Sequence, residues 1–268
     1  MSHLLEVENL KVRFRTQTGV VNAVNDMSFY LDEGEIVGLV GESGCGKTMS
    51  QLAVMQLAPE SSEITGKVMF EDNNLLLLPP RSKAMCSIRG KKIAMIFQEP
   101  AASLNPVLTI GTQITEMLEI HQGTNRQQAK NQAVELLMRA GIRNAEERLN
   151  DYPHQFSGGM LQRVMIAIAL SCKPRILIAD EPTSSLDAPI QAQILELLKE
   201  LVEQSNTAMM FVSHDLDLVA RYAERIYVMY AGQIIESGKC CDVFDNPYHP
   251  YTIGLLENNR YVRCSGWV

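Results

Sequence analysis

The 268-residue sequence has no apolar run long enough to cross a bilayer. Its longest runs, such as Val164–Leu170, fall far short of the ~20 residues that a membrane-spanning helix needs. Work at a membrane is therefore expected to proceed by docking to another chain. Met1–Val12 mixes polar and apolar residues and has no apolar core of the secretory-signal kind. No C-x-x-C spacing occurs among the six cysteines, Cys45, Cys86, Cys172, Cys240, Cys241 and Cys264, which read as reduced, cytosolic thiols. A basic excess is also missing. The 24 Lys and Arg against 31 Asp and Glu leave a net charge of −7, which argues against nucleic acid as a partner. Internal repeats and low-complexity stretches are absent. What remains is ordinary globular composition, 46% hydrophobic and 21% charged, enough for one large domain or two small ones.

One stretch organises the rest. Gly41-Glu42-Ser43-Gly44-Cys45-Gly46-Lys47-Thr48 fits the pattern G-x-x-x-x-G-K-[ST]. The run Glu35–Val40 before it reads as a short buried strand, and Met49–Leu57 after it reads as a helix that stops before Pro59. Strand, glycine loop and helix start are the context that a phosphate-binding loop requires. Glycines at 41, 44 and 46 allow tight turns and close backbone approach. The freed amides and the helix start present positive charge to a polyphosphate. Lys47 adds a full charge, and the Thr48 hydroxyl suits Mg²⁺. A glycine turn followed by a chance Lys-Thr is the plainer alternative, and the flanking strand and helix speak against it.

Strand-like alternation covers residues 4–12 and 20–31, with a loop expected at Arg15–Gly19 and a turn at Asp32–Glu35. Thr65–Phe70 and Lys92–Phe97 read as strands, and Leu75–Arg89 is ambiguous around Pro79-Pro80. From Glu99 to about Lys173 the texture is helical. Ile110–His121, Arg126–Ala140 and Leu161–Ser171 carry helical spacing, Gly141 ends the second, and no strand is expected between 105 and 155. Strands at Ile176–Ala179, Thr207–Ser213, Ile226–Tyr230 and Gln233–Ser237 then alternate with helices at Gln191–Gln204 and Leu216–Tyr222. This predicts an α/β fold with a mainly parallel core sheet, antiparallel strands at the N-terminus and an inserted helical subdomain. The expected division is 1–98 with 174–238 as the core, 99–173 as the helical subdomain, and 239–268 as a short C-terminal segment.

Two further features carry chemistry. The strand Arg175–Ala179 ends in Asp180 and Glu181. Beside a phosphate-loop strand, Asp180 would serve the Mg²⁺ shell and Glu181 an attacking water. Alone, the pair is equally well a surface acidic pair. Ser157-Gly158-Gly159 precedes a helix and resembles a second phosphate cradle. One nucleotide needs one phosphate loop, so a second anion-reading helix start suggests a nucleotide shared between two chains. The plainer reading is a capped helix start with flexible glycines.

Taken together, these residues resemble the nucleotide-binding subunit of an ATP-binding cassette transporter. Gly41–Thr48 matches the Walker A motif, Gln98 the Q-loop, and Ser157-Gly158-Gly159 the core of the signature. Ile176–Glu181 matches Walker B with its glutamate, Ser185-Leu186-Asp187 the D-loop, and His214 the switch histidine. The motifs stand in family order and, with their flanking strands, cover nearly the whole chain. Phe97–Pro100 with Ser103–Pro106, Phe156–Ala167, and His249-Pro250-Tyr251-Thr252 resemble the dipeptide, oligopeptide and nickel importers; Met160 departs from the broader family's glutamine but suits this group.

The resemblance implies an ATPase with ATP and Mg²⁺ as ligands. Gly41, Ser43, Gly44, Cys45, Gly46, Lys47, Thr48 and Met49 would hold phosphates. Thr48, Gln98 and Asp180 would serve the metal, Glu181 would activate water, and His214 would sense the γ-phosphate. Ser157, Gly158, Gly159 and Asp187 would act across a dimer seam. Phe14 best matches the adenine-stacking aromatic, although Tyr30 is nearby and a strand aromatic often belongs to the core.

Implied partners are a second, homologous ATPase subunit forming a heterodimer, two transmembrane permeases and an extracytoplasmic solute-binding protein. The implied location is peripheral, on the cytoplasmic face of the inner membrane, and the Gln98–Leu108 region would meet the permease. Longer relatives carry a cysteine-bearing extension; here only Cys264 falls in that region, so no iron–sulfur cluster is expected. Import of di- or oligopeptides is the leading expectation, with nickel or another small solute as the alternative. A soluble cassette ATPase of DNA repair or translation would bring coiled coils or tandem cassettes, and a small-molecule kinase would leave Ser157–Gly159 and His214 unexplained.

Overall fold

Alternation at period two builds the first sheet. In the computed structural model, which describes residues 3–17 and 19–257, β1 (Leu5–Thr16) buries Leu5, Val7, Leu10 and Val12. The step from Val7 to Leu10 breaks strict alternation, and the register shifts there. Asn9 takes up the extra residue at φ +52°. β2 (Gly19–Leu31) returns antiparallel, with Thr16 opposite Gly19, so the strands run into the stretch expected as loop. β4 (Ser62–Phe70) joins the other edge of β1 antiparallel, and β5 (Asn73–Asn74) follows it.

The same unit holds an all-buried strand, β3 (Ile36–Val40), flanked in parallel by β8 (Ala208–Ser213) and β9 (Arg225–Tyr230). β10 (Gln233–Lys239) pairs antiparallel with β9. A continuous apolar strand such as Ile-Val-Gly-Leu-Val is what burial on both faces demands. Helices α1 (Lys47–Val54), α9 (Leu216–Tyr222), α10 (Cys240–Asp245) and α11 (Pro250–Glu257) complete this unit. One charged cluster ties it together. Arg225 donates from Nε and Nη2 to the two carboxylate oxygens of Glu35, each at 2.7 Å. Its guanidinium also lies 3.9 Å from the Tyr30 ring centroid and donates to the Tyr227 hydroxyl. Burial opposes the Arg225 charge, but the Glu35 hydrogen bonds prevail and hold it more firmly protonated than usual.

The second unit pairs β6 (Ile93–Ile96) in parallel with β7 (Ile176–Asp180). Its helices are α3 (Pro100–Ser103), α4 (Ile110–Gln122), α5 (Arg126–Arg139), α6 (Ala145–Arg148), α7 (Gly158–Leu170) and α8 (Ala188–Ser205). Ile110, Ile114, Leu118, Ala129, Ala133, Leu137, Leu161 and Val164 share one core, at the three- and four-residue spacing of amphipathic helices. Thr109 caps α4, and an Asn125–Gln128 capping box opens α5.

The described residues thus separate into 3–86 with 208–257 and 87–207. The ambiguous stretch 75–89 resolves into a 3₁₀ turn at Leu75–Leu77 and helix α2 (Lys83–Ile88). The first helix begins at Lys47 rather than Met49. The signature helix begins at Gly158 rather than Leu161, where Ser157 accepts the Met160 amide. Among the described residues the C-terminal segment holds two helices, and Cys264 lies outside those residues.

Candidate nucleotide site

The phosphate loop joins β3 to α1 within the first unit. Gly41 and Gly46 adopt φ +154° and +110°, and a Cβ on either would come within 2.2 Å of a backbone oxygen, that of Met229 or of Ala23. Only glycine fits at both. Gly44, at φ +81°, faces open space. Lys47 is buried at 5% exposure, and its Nζ donates to Gly41 O at 2.7 Å and Glu42 O at 3.0 Å. An ammonium carries three N–H donors, and the third meets the Cys45 sulfur at 4.0 Å, a weak acceptor that an incoming anion can displace. Ser43, Gly44 and Thr48 are exposed and Met49 is half-buried. The loop therefore presents a backbone edge with no side-chain bulk at Gly44, a hydroxyl at Thr48 and a charge at Lys47, which fits a polyphosphate.

Cys45 is buried within the loop. Burial pushes its thiol up, and the Lys47 charge only partly offsets this. That makes it a small packing residue rather than a reactive thiol.

His214 is exposed and directly follows β8; Asp215 beside it caps α9 by accepting the Leu218 amide. Phe14 is half-buried on β1, opposite Val21, which is 52% exposed. The rival aromatic, Tyr30, is already engaged. Its ring stacks on His3 at a centroid distance of 3.9 Å and carries Arg225. Of the two, Phe14 is the one whose cross-strand neighbour is exposed.

In the second unit, parallel register does the positioning. Ile96 pairs with Ala179, so Gln98 and Glu181, each two residues further on, come alongside. Gln98 Nε2 donates to Glu181 Oε2 at 3.0 Å. Asp180 ends β7 at 2% exposure, whereas Glu181 is half-buried at φ +46°, a left-handed conformation uncommon for a residue with a side chain. The Ser184 amide and hydroxyl both donate to the Glu181 carbonyl, fixing this turn. Asp187 is exposed at the start of α8 and makes no side-chain capping bond.

Ser157 and Gly158 are exposed and Gly159 is half-buried. Gly159 is needed for a reason the sequence does not display. Its Cβ would approach Ile190 on α8 to 2.9 Å, so the glycine permits close helix packing as well as an open helix start.

Sequence reasoning missed one contact of the phosphate loop. The Glu42 amide donates to the Tyr251 hydroxyl at 3.0 Å. The His-Pro-Tyr-Thr motif was visible only as a subfamily mark; nothing in the linear pattern joins it to residue 42.

The comparisons agree on one family. Residues 24–184 match the model described as ABC transporter. The chain is 48% identical over 268 residues to the oligopeptide transport ATP-binding protein OppD of Bacillus subtilis (strain 168), covering 99% of this chain and 74% of that protein. It is 49% identical over 260 residues to the oligopeptide transport ATP-binding protein AppD of the same organism, covering 96% of this chain and 79% of that protein. It also superposes with a TM-score of 0.77, at 28% identity, on the dimeric structure of a post-hydrolysis state of the ATP-binding cassette MJ0796 bound to ADP and Pi; the match covers 88% of this chain and 98% of that one.

Proposed function

This chain belongs to the ABC transporter family as its ATP-binding, ATP-hydrolysing component, and from that premise we propose that it powers the uptake of di- or oligopeptides. The observation that carries the reading is the run of relatives, 47–49% identical over 95–99% of this chain and 74–79% of their own length, whose names specify oligopeptide transport or peptide import. Among the described residues no helix is long and apolar enough to cross a membrane. In this reading transport runs through transmembrane permease subunits, against which this chain docks peripherally, on the cytoplasmic face. A solute-binding protein on the far side would deliver the peptide, and a homologous ATPase subunit would complete the dimer.

In this reading ATP sits on the loop Gly41–Thr48, held by the loop amides and the Lys47 donor that otherwise meets the Cys45 sulfur. Phe14 stacks on the adenine. No three His, Cys, Asp or Glu cluster to hold a metal among the described residues. Mg²⁺ suits such a site, since it binds through few side chains plus the nucleotide's own phosphates. Thr48, Gln98 and Asp180 would hold it, and when bound it neutralises phosphate charge. Glu181, oriented by the Gln98 amide, holds the attacking water and takes up its proton. His214 donates to the γ-phosphate and registers its loss. Ser157, Gly158 and Gly159 supply donors to the partner subunit's nucleotide, and Asp187 reaches across the seam. The functional division follows as 1–98 with 174–238 for the ATP-binding core and 99–173 for the signature subdomain, with 239–268 as the C-terminal segment. Gln98 heads the helical insertion in sequence, so in this reading occupancy biases the subdomain between two arrangements.

The test is uptake by cells carrying this chain with its permeases, comparing labelled tripeptide with labelled Ni²⁺. ATP-dependent peptide accumulation that is lost in Lys47→Ala is expected. Accumulation of nickel without peptide would replace the cargo assignment and keep the ATPase.

A further inference from the structure

The C-terminal helix α11 reaches the phosphate loop through one side chain. We infer that Tyr251 is a positioning residue for Lys47, acting through the Gly41–Glu42 peptide. This rests on the reading of Gly41–Thr48 as the nucleotide loop and adds a residue outside that loop to it.

Glu42 is held from two sides. Its carbonyl accepts from Lys47 Nζ at 3.0 Å and from the Cys45 amide at 3.3 Å, and its amide donates to the Tyr251 hydroxyl at 3.0 Å. Gly41 before it and Gly44 after it have the backbone freedom of glycine, at φ +154° and +81°, so the loop ties residue 42 through its carbonyl and leaves its amide to a partner from outside. The Tyr251 hydroxyl supplies what the loop itself lacks. Residue 251 is itself well placed. Its ring lies against Tyr230 with centroids 4.5 Å apart, and its amide donates to His249 Nδ1 at 3.1 Å. Glu236 on β10 accepts the amides of Tyr248 and His249 at 2.7 and 3.0 Å. Tyr230 also leads into the β9–β10 turn, where the Gly232 amide donates to Cys45 O at 2.9 Å. The loop is thus gripped at residues 42 and 45 from one support, the end of β9 and the helix that packs on it. Displacing Tyr251 frees the Gly41–Glu42 peptide to rotate, and its carbonyl, Gly41 O, which accepts from Lys47 Nζ at 2.7 Å, rotates with it.

Tyr251→Phe removes the hydroxyl and keeps the ring against Tyr230. One lost hydrogen bond corresponds to about a 2- to 10-fold weaker hold on ATP. The measurement is equilibrium binding of a fluorescent ATP analogue with Mg²⁺ to the full chain, alongside its unfolding midpoint without nucleotide and amide exchange at residues 41–47. A 2- to 10-fold rise in Kd, an unmoved midpoint and faster exchange at Glu42 support the inference. Wild-type affinity in Tyr251→Phe overturns it. So does a loss of affinity in which exchange rises throughout 233–257, because that is general loosening. Lys47→Ala separates the two readings: if it binds the analogue as wild type does, the nucleotide loop itself is misassigned.

Discussion

The phosphate loop and the Ser-Gly-Gly helix start look alike in sequence, as glycine-rich entries to helices, yet they differ in how far their surroundings complete them. Around the phosphate loop, Lys47 is buried with two donors engaged, the carbonyl of Cys45 is taken by Gly232, and the amide of Glu42 by Tyr251. At the other entry, Ser157 and Gly158 are exposed, and the Ser157 hydroxyl makes one capping contact, at 3.4 Å to the Met160 amide. The first is finished within one unit of one chain. The second is a surface, the condition expected of a group whose ligand is carried by another molecule.

The contrast can be attacked from its catalytic side first, where the effect is greatest. Glu181→Gln keeps the shape and removes the base. Phosphate release is expected to fall about 10²- to 10³-fold while ATP binding persists; turnover at the normal rate would remove Glu181 from the mechanism. The frame behind the phosphate loop comes next. Arg225→Leu leaves the Glu35 carboxylate half-buried without its partner, a loss of about 3 kcal/mol, and the melting midpoint should drop by about 6–12 °C. Lys47→Ala removes a charge-assisted donor, so the ATP analogue should bind about 10- to 100-fold more weakly with little change in melting. Ser157→Ala separates cap from function. Loss of the cap alone is worth about 1 kcal/mol, whereas a donor to a partner's nucleotide predicts a turnover about tenfold lower with ATP binding to the isolated chain unchanged. A stability loss with normal turnover would make Ser157 a cap only.

The smallest effect concerns acid. Burial raises the Glu236 carboxyl, but its donors, among them the Tyr248 and His249 amides, prevail and hold it below the usual glutamate range. Its folded pKa lies under the unfolded one, so this stabilisation is complete above about pH 4.3 and fades as pH falls through the lowered value. Amide exchange at Tyr248 and His249, corrected for intrinsic rate, should quicken below pH 4 in the wild type and show no such dependence in Glu236→Gln.

Much of this molecule was legible because glycine and periodicity leave strong marks. Gly41, Gly44 and Gly46 between an apolar strand and a helix declared the loop. The spacing of Ile110, Ile114 and Leu118 declared a core helix. What stayed hidden depends on partners distant in sequence. Whether Tyr30 or Phe14 is available to a base turned on Arg225, nearly 200 positions from Tyr30. The tie between Tyr251 and Glu42 spans 209 positions, and no local propensity carries it. Strand ends were misplaced where pairing overrides composition, as at Thr16 opposite Gly19, and helix starts where a cap acts before the first apolar residue, as at Ser157. The left-handed turn at Glu181 is likewise a property of the fold, since nothing about a glutamate after an aspartate announces it.

The engagement of Lys47 with its own loop has a consequence for the working cycle. A charge buried without company would seize a polyphosphate and release it slowly. In the proposed nucleotide site the ammonium is already solvated by two peptide oxygens and turns its third donor to the weak Cys45 sulfur, so bound ATP would replace only that contact, and departure of the products would return the lysine to a resting state that is itself well bonded. Such a site trades tightness for reversibility, as a motor that must empty itself on every stroke requires.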